Sequence, residues 1–273
     1  MKVKLVNFRD PDMGDQISQS LNETGFVVLT HHGIDLNLIK DAQTVWRQFF
    51  LKDQGYKNFF INEDNDNMGY KGFKSETALG AQKADIKEFF HWKFGEEIPD
   101  EVQDITIKLF SQLEDLGMMV LHALDQKNEF MTKYLSNCLS SDNTILRSLY
   151  YPAADFSQEE GAVRAAAHED INFITLLVAA SAPGLQVLDK AGNWHDVPHE
   201  TDSIVVNIGD MLQLASNGKY RSTTHRVVNP EDTSSDRISI PLFIHPHSNV
   251  LLADGITAQQ FLDERIAAIY GKK

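Results

Sequence analysis

Seven short apolar runs, separated by turn residues, fill the second half of this chain and constrain its fold more than any other feature. They are Ile145–Tyr151, Phe173–Ala179, Leu185–Leu188, Ile204–Ile208, Met211–Leu214, His225–Val228 and Ile238–Ile244. Each has the length of a strand rather than of a full helix, and Lys190-Ala191-Gly192-Asn193 between two of them carries hairpin-turn residues. Strands at this spacing predict an antiparallel sandwich or jelly roll.

Before residue 140 the periodicity is helical. Ile39, Ala42, Trp46, Phe49 and Phe50 share one face of a helix within Asp35 to Lys52. A second helix opens near Pro99-Asp100 and aligns Ile105, Leu109, Leu113, Leu116, Val120 and Leu124. Asn62 to Lys74 is polar and contains glycine, which reads as a loop. Near the end, Thr257-Ala258-Gln259-Gln260 has the capping-box pattern that opens a helix. No repeat, low-complexity tract or linker divides the chain. The expectation is a mainly β protein with flanking helices: a mostly helical portion over 1–140, a barrel-like core over 141–250 and a C-terminal helix over 251–273, in one folded unit.

Charge narrows the partners. With 25 basic against 39 acidic residues the net charge is −14, and no basic run is present, which argues against nucleic acid and against an anionic membrane surface. The longest apolar stretches, such as Ile174 to Ala182, are far short of a membrane span. Met1 to Asp10 lacks the apolar centre of a signal peptide, and the single Cys138 cannot form an internal disulfide. These features predict a soluble cytoplasmic protein with neither a nucleic-acid nor a membrane partner; they set no oligomeric state.

The chemistry concentrates in three places. His168 alone among ten histidines begins an H-x-D or H-x-E triplet, and on an extended backbone His168 and Asp170 share one face. His225 lies in another strand-like run, Ser222 to Val228. Two imidazoles and one carboxylate hold non-haem Fe(II) while leaving coordination positions open for O2 and a co-substrate. Standing alone, His225 would read as a hydrogen-bonded core histidine. Arg237-Ile238-Ser239, the one R-x-S triplet in the chain, puts a guanidinium and a hydroxyl on one strand face, suited to the remote carboxylate of a dicarboxylic acid. Its plainer alternative is a structural ion pair.

These residues resemble the isopenicillin N synthase-like Fe(II)/2-oxoglutarate-dependent dioxygenases. The resemblance is carried by His168-Glu169-Asp170-Ile171-Asn172-Phe173-Ile174-Thr175-Leu176-Leu177, by Asn207 to Met211 and Ser216 to Val227, by Arg237 to Phe243, and by Gly25 to Ile34 near the start, so it spans nearly the whole chain. It implies a double-stranded β-helix (jelly roll) with Fe(II) inside one end. It also implies His168, Asp170 and His225 as ligands, and Arg237 and Ser239 on the C5 carboxylate of 2-oxoglutarate, with Tyr151 as a further contact. Leu149 departs from the asparagine common at its position in plant members, which leaves the co-substrate to Arg237, Ser239 and Tyr151.

The implied reaction consumes O2 and 2-oxoglutarate, releases succinate and CO2, and hydroxylates, desaturates or cyclises a small molecule. An Fe(II)/O2 oxidase that does not use 2-oxoglutarate, and a non-catalytic binding protein on the same scaffold, are the alternatives. For the substrate pocket, alternation places Phe243 on the face of Arg237 and Ser239. Tyr70 and Phe73, with Lys71 and Lys74, suggest a lid; solvated surface is the plainer reading of that loop. Phe89-Phe90-His91-Trp92 reads as packing, His245-Pro246-His247 as strand-end surface, and Asp210 as structural.

Overall fold

The computed structural model describes residues 1–65, 67–73, 75, 86–126, 135, 138–153, 164–179, 181, 183–228, 235–253 and 255–270. The chain runs β1 (Lys4–Asn7), α1 (Met13–Thr24), β2 (Phe26–Thr30), α2 (Leu36–Phe50), α3 (Gln54–Asn58), β3 (Gly69–Lys71), β4 (Glu88–Trp92) and α4 (Asp100–Asp125). There follow β5 (Ile145–Tyr151), β6 (Ala165–His168), β7 (Ile174–Val178), β8 (Leu185–Leu188), β9 (Trp194–Asp196), β10 (Ser203–Ile208) and the short helix α5 (Asp210–Ala215). The last elements are β11 (His225–Val227), β12 (Arg237–Ser239), β13 (Pro241–Ile244), β14 (Leu251–Ala253), β15 (Ile256–Thr257) and α6 (Ala258–Tyr270).

Two sheets form a jelly roll. The major sheet has the order β1-β2-β10-β7-β13-β5-β4-β3, with β12 also paired to β5, and the minor sheet has the order β6-β11-β8-β9. Phe26, Val28 and Val205 of the major sheet pack with Val187 of the minor sheet in one apolar cluster, so the inner faces meet. On the other face of the major sheet lie α2 and α4. Asp35 caps α2 by accepting from Asn37 N at 2.9 Å, and its buried Ile39, Ala42, Trp46, Phe49 and Phe50 face inwards. Trp46 satisfies its indole N–H on Thr106 Oγ1 of α4 at 3.1 Å. A Cβ at Gly117 of α4 would stand 2.1 Å from Ile244 Cδ1, so glycine lets the helix approach β13 closely. No helix among the described residues is long and apolar enough to cross a membrane.

Several expectations need correction. The N-terminal portion holds more helix than strand, but its strands also build the barrel: β1 and β2 extend the major sheet beside β10, and β3 and β4 extend it beyond β5. The stretch expected as a loop contains β3, whose Tyr70 pairs with Phe90. Met211–Leu214 is helical, not a strand. Gly209 is extended at φ −100° and ψ 171°, α5 starts at once, and Gln213 N bonds to Gly209 O at 3.0 Å. Four apolar residues in a row do not distinguish the two states by period alone. Ile238–Ile244 is two strands: β12 pairs with β5, and β13 pairs with both β5 and β7, with the change at Pro241, which lacks a backbone donor. The Lys190–Asn193 turn does join the antiparallel β8 and β9. Thr257 and Gln260 make the reciprocal capping box, each side chain accepting from the other's backbone N–H.

Candidate metal centre

His168 and His225 meet because strand pairing puts them opposite one another. β6 and β11 are antiparallel with His168 and His225 as direct partners, and their ring centroids lie 4.4 Å apart. Each ring has its Nδ1 on a backbone carbonyl, His168 on Ala166 O at 2.7 Å and His225 on Thr223 O at 3.1 Å. A carbonyl only accepts, so Nδ1 carries the proton and the Nε2 lone pair is exposed. Both Nε2 atoms stand 3.8 Å from the same atom, Asp170 Oδ1. Phe26 packs edge-on against the His225 ring at 5.4 Å, and Thr224 donates its hydroxyl to Glu169, tying the two ligand segments together.

Asp170 is oriented from behind. Its Oδ2 accepts from Thr175 Oγ1 at 2.5 Å and from Asn207 Nδ2 at 2.8 Å, which leaves Oδ1 to face the imidazoles. Burial raises the Asp170 carboxyl, but the two imidazoles and the two donors outweigh it and hold it below its usual value. Burial, then the adjacent His225, lowers His168 to about 4, so the ring is neutral at pH 7. The start of α5 grips the loop that carries Asp170: Asp210 N bonds to Asp170 O at 2.7 Å, Gly209 N to Phe173 O at 2.9 Å and Met211 N to Asn172 O at 3.1 Å. A Cβ at Gly209 would come within 2.2 Å of Asn172 O, so only glycine permits this contact.

The anion-binding candidates also come together by register. Arg237 of β12 pairs with Tyr151 of β5 and Ser239 pairs with Leu149. Arg237 is 2% exposed, Ser239 3% and Tyr151 2%. The Arg237 guanidinium carbon is 5.2 Å from the Tyr151 ring centre, and burial lowers its basicity against the opposing pull of the Tyr151 hydroxyl. Leu149 packs with Phe89 and Tyr151 in a small apolar cluster.

A cavity of about 580 Å³ opens over His168 and Asp170, and Phe243 is in its wall as alternation indicated. Tyr70 and Phe73 are not among its lining residues. Tyr70 is 1% exposed in the aromatic core with its hydroxyl on Glu88, and Phe73 is 45% exposed. The lid expectation therefore does not hold for Tyr70, whose ring is held by packing against Phe49. Lys74 lies outside the described residues. The cations in the cavity wall are Lys87, Lys93 and Arg147 on and beside β4 and β5, and Arg265 of α6, which is paired with Asp210. His91 Nδ1 donates to Asn67 O at 2.7 Å, which leaves its Nε2 to accept from Arg147 Nε. The Arg147 guanidinium lies 4.5 Å over Phe89 and 5.5 Å over Phe243. His245, expected at the surface, is 8% exposed and lines the cavity. Arg147 has the parity of Leu149 and Tyr151, and His245 that of Phe243, so period-two alternation carried a signal for both. Asp210 also lines the cavity but is engaged by Arg265, in keeping with a structural role.

The three candidate ligand atoms lie within 4.8 Å of one another. Two imidazoles presenting Nε2 and one carboxylate held ionised are a donor set that fits Fe(II), with hydrogen bonds from neighbouring groups fixing each candidate ligand. A jelly roll that gathers such a set beneath an open cavity defines a non-haem iron oxygenase. Residues 142–246 match the family model of the 2OG-Fe(II) oxygenase superfamily, and residues 4–115 match that of the non-haem dioxygenase in morphine synthesis N-terminal region. A crystal structure described as an oxygenase from Shewanella oneidensis is 40% identical, with a TM-score of 0.87 over 97% of this chain and 98% of that one. A full-length Neurospora crassa protein crystallised in complex with alpha-KG is 25% identical, with a TM-score of 0.82 over 97% and 96%. Flavonol synthase 1 of Crocosmia x crocosmiiflora is 28% identical over 96% of this chain and 82% of its own length. The chain belongs to the 2OG-Fe(II) oxygenase family and is a 2-oxoglutarate-dependent dioxygenase, an oxidoreductase that uses Fe(II), 2-oxoglutarate and O2. Neither the oxidase without 2-oxoglutarate nor the non-catalytic scaffold is favoured.

Proposed function

We propose that His168, Asp170 and His225 are the protein ligands of Fe(II), that Arg237, Ser239 and Tyr151 hold the remote carboxylate of 2-oxoglutarate, and that the cavity takes a small organic molecule bearing an anionic group. The observation that carries the ligand assignment is the common focus of three donor atoms within 4.8 Å, with both Nδ1 atoms committed to carbonyls. Bound Fe(II) supplies the O2 chemistry that couples decarboxylation of 2-oxoglutarate to oxidation of a C–H bond. The chain's own residues orient the reactants. Asp170 and the two histidines occupy one side of the site and leave the cavity side open. Arg237 is buried against Tyr151, where a carboxylate would meet a fork rather than water.

The substrate reading rests on the wall formed by β4 and β5. Arg147 is fixed between Phe89 and Phe243 and braced by His91, and Lys87 is 5% exposed beside it in the same wall. Cations in a largely apolar wall favour a carboxylate or similar group on the substrate, with Phe243 against its apolar part. The buried thiol of Cys138 suits a reducing compartment, and we place the reaction in the cytoplasm.

The test begins without oxygen. Fe(II) with 2-oxoglutarate should give the intact protein a visible charge-transfer band that His168→Ala and Asp170→Ala each abolish. Absence of that band in the intact protein would overturn the site assignment. Small organic acids are then compared with their amides for stimulation of succinate release. The acids should stimulate, and Arg147→Met should remove that preference while leaving the anaerobic band in place. Equal stimulation by acids and amides would overturn the anionic substrate.

A further inference from the structure

One buried cation near the co-substrate residues is not used by the site described above. Arg164 stands immediately before β6, four residues ahead of His168, and the register between β6 and β11 shifts between the two. It is 0% exposed. Its Nη2 donates to Ser235 O at 3.2 Å, while Nε and Nη1 have no hydrogen-bond partner. Its guanidinium carbon lies 5.8 Å from the centre of the Tyr151 ring, the ring that Arg237 approaches to 5.2 Å. The nearby carboxylate, Asp236, is already engaged by Arg47 at 2.7 Å and by the Tyr150 hydroxyl at 3.4 Å.

Two guanidiniums buried around one tyrosine oppose each other, and burial penalises both. Arg237 makes the charge of Arg164 less favourable, unless an anion enters between them. Arg164 lies four residues from His168, at most roughly 13 Å along extended chain. A five-carbon diacid anchored at the metal, met by the length of an arginine side chain, spans that gap. Arg164 enters from the residue that precedes the minor-sheet strand β6 and Arg237 from the major-sheet strand β12, so the two forks arrive from different sheets of the barrel.

We propose that Arg164 is a second guanidinium donor to the remote carboxylate of 2-oxoglutarate, sharing it with Arg237 and Tyr151; this rests on the assignment of Arg237 made above. The chain thereby gains a stronger preference for a dicarboxylic 2-oxo acid over a monocarboxylic one than a single fork supplies.

Anaerobic titration of the Fe(II)-loaded protein tests this by the absorbance of the complex, independent of turnover. The ligands are 2-oxoglutarate and 2-oxobutyrate, which keeps the chelating end and lacks the remote carboxylate. Arg164→Met should weaken 2-oxoglutarate about 10- to 100-fold and leave 2-oxobutyrate unchanged, and Arg164→Lys should recover part of the loss. Arg164→Gln, which keeps a donor for Ser235 O, takes the place of the methionine variant if that does not fold. Equal weakening of both ligands would show a scaffold role and overturn the inference, as would unchanged binding of both. Failure of the unaltered protein to bind 2-oxoglutarate would overturn it together with the Arg237 assignment.

Discussion

Thr175 and Asn207 are direct cross-strand partners in the major sheet, and both donate to the same oxygen of Asp170. One rung of the β7–β10 ladder therefore sets the direction of a carboxylate that belongs to neither strand. The other oxygen is left towards the histidines.

Asn207→Ala removes one of these donors and leaves all three proposed ligand residues unaltered. Metal affinity should fall about 10- to 100-fold, as when other second-layer partners are lost. A Mn(II) or Fe(II) titration of the purified protein measures it. Unchanged affinity would mean that Thr175 alone orients Asp170.

Gly209→Ala introduces a Cβ against the backbone and side chain of Asn172. Neither is the free end of a flexible chain, so the α5 start must move away from the Asp170 loop. The expected cost is about 1–3 kcal/mol, read by chemical denaturation, with metal binding weakened in parallel. A variant that keeps full stability and affinity would show that the loop moves freely.

Lys57 and Glu88 form a buried ion pair at 2.6 Å, and Glu88 also accepts from the Tyr70 hydroxyl. Lys57→Met leaves a carboxylate stranded in the aromatic core and should cost about 3–5 kcal/mol. Adding Glu88→Gln should return much of this loss. Denaturation midpoints of the single and double variants decide between a pair and two independent contributions.

His245 is lowered to about 4, by burial first, against the raising influence of its bond to Phe243 O and of Asp170. The unfolded chain takes up this proton near pH 6.5, before the folded protein does. Stability from this group is therefore complete above pH 6.5 and is lost as the pH falls towards 4, by about 3 kcal/mol in all. In metal-free protein, His245→Gln should flatten the acid side of the stability curve in that window. An identical slope in the variant would assign the loss to other groups.

The sequence made the strands legible where turn residues bounded them, as at Leu185–Leu188, which matches β8 residue for residue. It failed where tertiary packing decides the state. Val27, Val28 and Leu29 are apolar on both faces, because β2 is buried between β1 and β10, so no alternation marks it as part of the distant sheet. Met211–Leu214 needed the Gly209 contact to be seen as a helix. In the site, chemistry-bearing types at fixed spacing were readable, and so was Phe243. Tyr70 was not: its fate depends on a carboxylate 18 residues away, and local spacing carries no trace of Glu88. Arg147 had the signal of strand parity, but its bracing by His91 exists only because β4 pairs with β5 and sets the two residues opposite each other.

The opposition of His168 and His225 across β6 and β11 also governs which changes of chain length the protein tolerates. One residue added within either strand would turn an imidazole to the outer face. The Lys190–Asn193 turn, on the far side of β8, can lengthen without such an effect. If these imidazoles hold iron as proposed, a molecule whose short strands have annealed out of frame would not load the ion, and would be left without the added grip that a loaded molecule gains.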